Sequence, residues 1–265
     1  MNETYKVQVQ DLVDDLKAVF THAGLGGEAG EYKLLTQSFL YKFLNDKFLY
    51  QAKILDESNT YENLLAMSEE DYDWLLEDIG TSTAWLKPDQ MIETLHRQQN
   101  EPTFYETFEN TLNQIAIDNN DIFSVHTDGD TAIRLFDERL ITDTISDSSK
   151  RNEVAKAIIN LLARVKFDET IFSQGFDFFS TLFEYMIKDY NKDGGGKYAE
   201  YYTPHSVAKI IADILVGDDK PQNVRIYDPS AGSGTLLMNL ASRIGVDKTT
   251  VYSQDISQKS SNLLR

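Results

Sequence analysis

Asp228, Gly232, Gly234 and Asp255 are the residues of this chain whose types and spacing suit the holding of a small polar ligand. The first three stand in Asp228-Pro-Ser-Ala-Gly-Ser-Gly234, and Asp255 follows the turn by about 20 residues, a spacing typical of nucleotide-binding βαβ units. Gly232 and Gly234 permit a tight turn and let the backbone approach a ligand where a Cβ would collide. The helix expected after Gly234 adds free backbone N–H groups. Asp255, at the end of the next strand, is placed to accept from ribose hydroxyls. Asp228, at the end of the first, is placed to accept from an ammonium group. Ser230, Ala231 and Ser233 complete the lining of the turn. A Gly-x-Gly alone specifies only a tight turn; flanked by both acids, it reads as nucleotide-type binding.

A second short motif, Glu200-Tyr-Tyr-Thr-Pro204, precedes the first. Thr203 is a good N-cap and Pro204 a good first helical residue, so the pair starts a helix cleanly. Structurally that is only a cap. Chemically, the positive end of the same helix can hold a carboxylate, with Tyr201 and Tyr202 packed beside it. S-adenosylmethionine is one ligand that carries ribose, ammonium and carboxylate together.

The elements that position these residues change character along the chain. Up to about residue 165 the pattern is helical. Leu12, Leu16, Val19 and Phe20 share one face, as do Leu35, Phe39, Phe43 and Leu44. Ser68-x-x-Asp71 and Thr103-x-x-Glu106 read as capping boxes, the second opening a helix through Ile115. Pro88 suits the first position of a helix to Arg97, and another covers Arg151 to Val165. The aromatic stripe of Phe39, Tyr41, Phe43, Phe48 and Tyr50 reads as core. After residue 170 a helix at Phe176–Tyr190 leads into the glycine loop Asp193-Gly-Gly-Gly196. A helix from Pro204 is expected to bury Val207, Ile210, Ile211, Ile214 and Leu215. A strand at Val224–Tyr227 runs into the glycine motif, followed by a helix to about Ile244, a strand at Thr250–Gln254 and a last helix at Ser257–Arg265. The expected fold class is α plus α/β: a helical bundle over residues 1–165, then over 170–265 the start of a Rossmann-like, nucleotide-type domain.

Composition excludes several functions. The chain of 265 residues has no cysteine, so disulfides, thiolate metal sites and cysteine nucleophiles are ruled out. Its four histidines, His22, His96, His126 and His205, lack metal-ligand spacing, and no metal is expected. No apolar run reaches the roughly 18 residues of a membrane span, and Met1–Gln10 lacks a signal-peptide core. A soluble cytoplasmic protein is the default expectation. The net charge of −18 is concentrated in residues 1–150, with 11 Lys+Arg against 29 Asp+Glu, while residues 151–265 hold 14 of each. An acidic half repels the DNA backbone, so the chain alone does not read as a DNA binder. A solvated surface is the favoured reading of the excess over a dedicated acidic interface.

The ordered pair Glu200–Pro204 and Asp228–Gly234 resembles the first two cofactor motifs of the amino-methyltransferases that modify adenine in DNA. More narrowly, the chain resembles the modification subunit of type I restriction-modification systems, weakly over residues 1–150 and strongly over 170–256. That resemblance implies methyl transfer from S-adenosylmethionine to N6 of adenine in DNA. Thr203, Pro204 and their neighbours would contact the methionine end, Ser230 to Gly234 would line the cofactor, and Asp255 would bind the ribose. It also implies partners: a DNA-specificity subunit, a second modification subunit and a restriction subunit, with DNA reached through the complex. The departure is the catalytic Asn-Pro-Pro-aromatic motif, which in that family positions a flipped base. Prolines occur here only at 88, 102, 204, 221 and 229, none adjacent. Only two of the roughly six strands of such a sheet are visible. The expectation is the cofactor half of such an enzyme, shortened or split from its remainder and inactive alone.

Asp189-x-Asn191-x-Asp193-Gly194-x5-Glu200 also satisfies the EF-hand calcium-loop pattern. Gly196 at the usual apolar position, Pro204 just beyond Glu200 and the lack of a second hand favour a glycine loop instead. A helical assembly module with a non-functional methyltransferase piece is the alternative from another class. A methyltransferase acting on RNA or protein is a third, which the Glu-Tyr-Tyr-Thr-Pro element counts against.

Overall fold

The computed structural model describes residues 3–26, 29–81, 83–123, 125–126, 132–174, 203–219 and 221–255. The chain divides into two units, Asn2–Ser173 and Gln174–Arg265. The first is mostly helical and the second holds a small parallel sheet.

In the first unit the long helices α1 (Glu3–Ala23) and α2 (Ala29–Leu55) are followed by α3 (Tyr61–Ala66), α4 (Glu69–Ile79), α5 (Ile92–Gln98), α6 (Phe104–Asp118) and α7 (Asn120–Phe123). Then come α8 (Leu140–Thr144), α9 (Ser148–Arg164) and α10 (Glu169–Gln174). Helix α9 is the common partner, packing against α1, α2, α5, α6 and α8. Leu16 and Phe20 of α1, Leu34 and Phe48 of α2, Phe104 and Phe108 of α6, and Ile158 and Leu162 of α9 are fully buried. Each large apolar side chain so buried contributes about 1.5–3 kcal/mol. The expected faces hold, with Val19 and Phe43 half-buried at their margins. Of the aromatic stripe, Phe39, Tyr41 and Phe48 are core, while Tyr50 stacks on Phe172 of α10 with ring centroids 5.1 Å apart.

Buried polar side chains in this unit serve the backbone. Helix α5 has no side-chain cap of its own; Asn45 of α2 supplies one, its Oδ1 accepting from Ile92 N at 2.9 Å. Asp46 pairs with Lys42 at 2.8 Å and accepts from Phe167 N at 2.7 Å. Tyr41 donates its hydroxyl to Gln90 O at 2.6 Å; burial, reinforced by the charges of Glu93, Asp46 and Asp89, pushes that phenol well up.

Three local expectations are corrected. The region is not helical throughout: β1 (Val125–His126) and β2 (Ala132–Ile133) form a short antiparallel pair, Val125 opposite Ile133. Ser68 caps α4 as expected, accepting from Asp71 N at 3.2 Å, but Thr103 makes no side-chain cap, its backbone lying at φ −116°, ψ 40°. Pro88 opens a 3-10 turn, Pro88–Gln90, and Met91 is extended before α5 begins, because Gln90 Oε1 turns back to accept from Lys87 N.

In the second unit α11 (His205–Val216) precedes β3 (Val224–Asp228), α12 (Thr235–Ile244) and β4 (Thr249–Ser253). The strands pair in parallel, Val224 opposite Thr249 through Asp228 opposite Ser253. A core of Ile226, Ala231, Leu237 and Ala241 lies between the sheet and α12, flanked by Val224, Leu240 and Ile244. Helix α11 turns inward the face opposite to the expected one. Ala208, Ala212 and Val216 are buried, while Val207, Ile210, Ile211, Ile214 and Leu215 are exposed, Ile214 at 75%. Small residues one turn apart allow α12 to approach closely, and hydropathy alone cannot rank an alanine face above an isoleucine face. The expected helices at Phe176–Tyr190 and Ser257–Arg265, the loop at Asp193–Gly196 and the calcium-loop pattern lie outside the described residues. Among the described residues no helix is long and apolar enough to cross a membrane.

Candidate functional site

The ends of β3 and β4 bring the acidic and glycine residues together. Beyond Asp228 the chain turns back at once: Asp228 Oδ1 accepts from Ser230 N at 2.9 Å. Gly232 and Gly234 adopt φ of 56° and 75°, the left-handed region in which an L side chain is strained. The turn is tied to the end of β4 by three bonds. Gln254 N donates to Asp228 O at 2.9 Å and Ala231 N donates to Gln254 O at 2.9 Å. Asp255 Oδ2 accepts from Gly232 N at 2.8 Å. Asp255 thus reaches across the strand ends and holds the glycine turn from the other side.

Gly234 is the N-cap of α12, with its N–H closed onto Ala231 O at 2.8 Å. The hydroxyls of Ser233 and Thr235 lie 2.8 Å apart. Ala231 and Gly234 are buried, Asp228, Gly232, Ser233 and Asp255 half-buried, and Ser230 exposed. The turn therefore has a carboxylate bonded on either side of it and the N-terminus of α12 directly after it.

Helix α11 begins one residue later than expected. Pro204 is its N-cap, without a side-chain bond, so Thr203 lies outside the helix and does not cap it; the proline has no N–H, and its carbonyl accepts from Val207 N and Ala208 N. Thr203 is half-buried and Pro204 exposed. Helices α11 and α12 run side by side in the same direction: His205 meets Asn239 at one end, and Asp213 meets Arg243 at 2.8 Å further along. Both N-termini therefore point the same way. Glu200, Tyr201 and Tyr202 lie outside the described residues.

Residues fit a ligand of mixed polarity. Glycines leave room for close backbone approach, carboxylates can accept from hydroxyl and ammonium groups, and the parallel helix ends favour a negative group. Among the described residues no cluster of His, Asp or Glu suits a metal ion. Sequence reading missed Gln254 and Asn239. Gln254 also accepts from the Tyr227 hydroxyl at 2.9 Å and carries no signal of its own. Asn239 does: it interrupts the apolar run Leu236-Leu-Met-Asn-Leu240.

Comparison with known proteins shows what this arrangement of parallel strands, glycine turn and acid is similar to. Residues 174–265 match the sequence model of the N-6 DNA Methylase family. The methylase subunit of the type I restriction enzyme MpnII from Mycoplasma pneumoniae is 24% identical over 276 residues, covering 97% of this chain and 48% of that protein. The methylase subunit of the MjaIX enzyme from Methanocaldococcus jannaschii is 26% identical over 138 residues, covering 48% of this chain and 24% of that protein. In fold, the chain matches the crystal structure of the type I restriction-modification methyltransferase subunit from Streptococcus thermophilus, with a TM-score of 0.66 and 22% identity over 96% of this chain and 54% of that one. These matches bear out the resemblance to type I modification subunits carried by the two motifs. The chain spans about half the length of the M. pneumoniae relative.

Proposed function

We propose that the second unit is the opening of a Rossmann-like fold and binds S-adenosylmethionine, in the service of adenine-N6 methylation of DNA by a type I modification subunit. The observation that carries this reading is the bond from Gly232 N to Asp255 Oδ2, which closes the glycine turn against the end of β4. A carboxylate offers about four lone-pair sites, so Asp255 can hold the turn and still accept from ribose hydroxyls. Asp228 would accept from the ammonium group, and Ser230, Ala231, Gly232, Ser233 and Gly234 would line the ligand with little side chain between it and the backbone. Glu200, Tyr201, Tyr202, Thr203 and Pro204 would lie at its methionine end. The cofactor, when bound, supplies the activated methyl group.

In the complete assembly the partners would be a DNA-specificity subunit, a second modification subunit and a restriction subunit, with DNA held through the complex. The acidic balance of residues 1–150 agrees with leaving sequence reading to another chain. No Asn-Pro-Pro-aromatic sequence occurs in the 265 residues, so the chain alone is expected to transfer no methyl group.

Calorimetric titration with S-adenosylmethionine tests the site, comparing wild type with Asp228→Ala, Asp255→Ala and Asp255→Asn. Binding should be lost in both alanine variants. The asparagine keeps an acceptor for Gly232 N and should retain the fold of the turn with weakened binding. A folded wild type that binds no cofactor sinks the reading and leaves the helical assembly module in front.

A further inference from the structure

Asn239 is 5% exposed on α12, between the buried Leu237 and Ala241. A buried amide in an apolar helix face is unfavourable unless its hydrogen bonds are made. Its Nδ2 lies 2.7 Å from Thr235 O and 3.1 Å from His205 Nδ1. Thr235 O can only accept, so the amide nitrogen must face it, and the second hydrogen on that nitrogen points to His205. His205 Nδ1 is therefore the acceptor of this bond. His205 is the first residue of α11, directly after Thr203 and Pro204.

The far ends of the two helices are already tied by Arg243, which bonds Asp213 Oδ1 and Gly217 O. The Asn239 bond is at the other end, between the entry to α11 and the first turns of α12. From this placement we infer that Asn239 is a positioning residue: through His205 it sets the Thr203–Pro204 entry against the glycine turn, and so fixes the end of the pocket that receives the amino-acid part of the ligand. This rests on the cofactor reading above, and it concerns one end of the ligand only. The adenosine end depends on Asp255 and Gly232, which the Asn239 bonds do not touch.

The test uses the full chain and two ligands, S-adenosylmethionine and 5′-methylthioadenosine, which keeps the adenosine and lacks the amino-acid part. Asn239→Leu preserves the apolar packing of α12, and His205→Ala removes the acceptor from a half-buried position. Both should weaken S-adenosylmethionine binding by about tenfold, the order set by one hydrogen bond, with methylthioadenosine affinity within about twofold of wild type. His205→Asn places an amide oxygen near the position of Nδ1 and should restore the affinity that His205→Ala loses. Nitrogen NMR of the His205 ring should show the Nε2–H tautomer in wild type and its loss in Asn239→Leu. Equal weakening of both ligands, no weakening, or His205→Asn behaving as His205→Ala would overturn the inference and leave the cofactor reading intact. A wild type that binds neither ligand removes the cofactor reading and the inference with it.

Discussion

The helical unit and the sheet-bearing unit use polar side chains for different ends. In the first, Asn45, Asp46, Glu109 and Asn119 each accept from a backbone N–H of a distant segment. Those bonds satisfy helix starts and loops inside a core that fully buries Phe20, Phe48, Phe104, Phe108 and Phe136. In the second, Asp228 and Asp255 accept from the N–H groups of a half-buried turn. Its core is small, and Ile214, Leu215, Tyr227 and Tyr252 stand exposed around it. A parallel sheet is ordinarily covered on both faces, whereas apolar side chains of this unit stand exposed. One set of bonds joins distant segments around a core; the other shapes a turn at the strand ends.

The sharpest way to break that contrast is to hollow the helical core. Phe104→Ala deletes a fully buried ring and should destabilise the first unit by about 3–5 kcal/mol. Both tryptophans, Trp74 and Trp85, belong to this unit, so the urea midpoint of their fluorescence follows it. A shift under about 1 kcal/mol would mean that the core is not the packed interior described here. In the second unit the comparable weak point is backbone, not volume. Gly234→Ala forces an L residue into φ 75° and should cost about 1–2 kcal/mol locally. Its readout is cofactor affinity, expected to fall while the tryptophan transition stays in place. Unchanged affinity would detach the turn geometry from binding.

How far the sequence disclosed each unit follows from the kind of signal involved. The α1 face of Leu12, Leu16 and Phe20 was legible because large apolar residues at helical spacing have one interpretation once buried. The glycine turn and Asp255 were legible because φ above zero and a carboxylate after a strand are chemically narrow. The α11 face was not, since Ala208 and Ala212 pack closely by being small, and smallness carries no hydropathy signal. The hairpin of Val125–His126 and Ala132–Ile133 is too short to show alternation. The Asp255–Gly232 bond, which ties the turn to the end of β4, joins residues whose pairing depends on register between the strands.

A smaller test concerns caps that the sequence indicated equally. Ser68 and Thr103 both head a capping-box pattern, yet only Ser68 makes its bond. Ser68→Ala should cost the first unit about 1 kcal/mol, and Thr103→Ala a few tenths at most. Equal losses would show that the pattern, not the bond, governs stability.

The smallest expected effect lies at Asp118, and its sign is informative. Burial pushes this carboxyl up, but hydrogen bonds from Gln90 and Gln114 and the ammonium of Lys87 outweigh it and hold the group below its ordinary value. The Lys87 pair spans 3.1 Å with the lysine half exposed, so solvent screening limits its share to under about 1 kcal/mol. Because the folded value is depressed, the unfolded chain binds the proton first as pH falls. The stabilisation is therefore complete above the ordinary carboxylate value and is lost as pH drops through the lowered folded one. Asp118→Asn should flatten that acid limb in the tryptophan urea midpoint and leave cofactor affinity unchanged at neutral pH. Asp118 is adjacent to Asn119, whose Oδ1 accepts from Trp85 N at 2.6 Å, so the fluorophore reports directly on this corner. An acid limb identical in wild type and variant would assign the pH dependence to other carboxylates of the acidic half. A change in cofactor affinity would show that the chemistry of the two units is not separate after all.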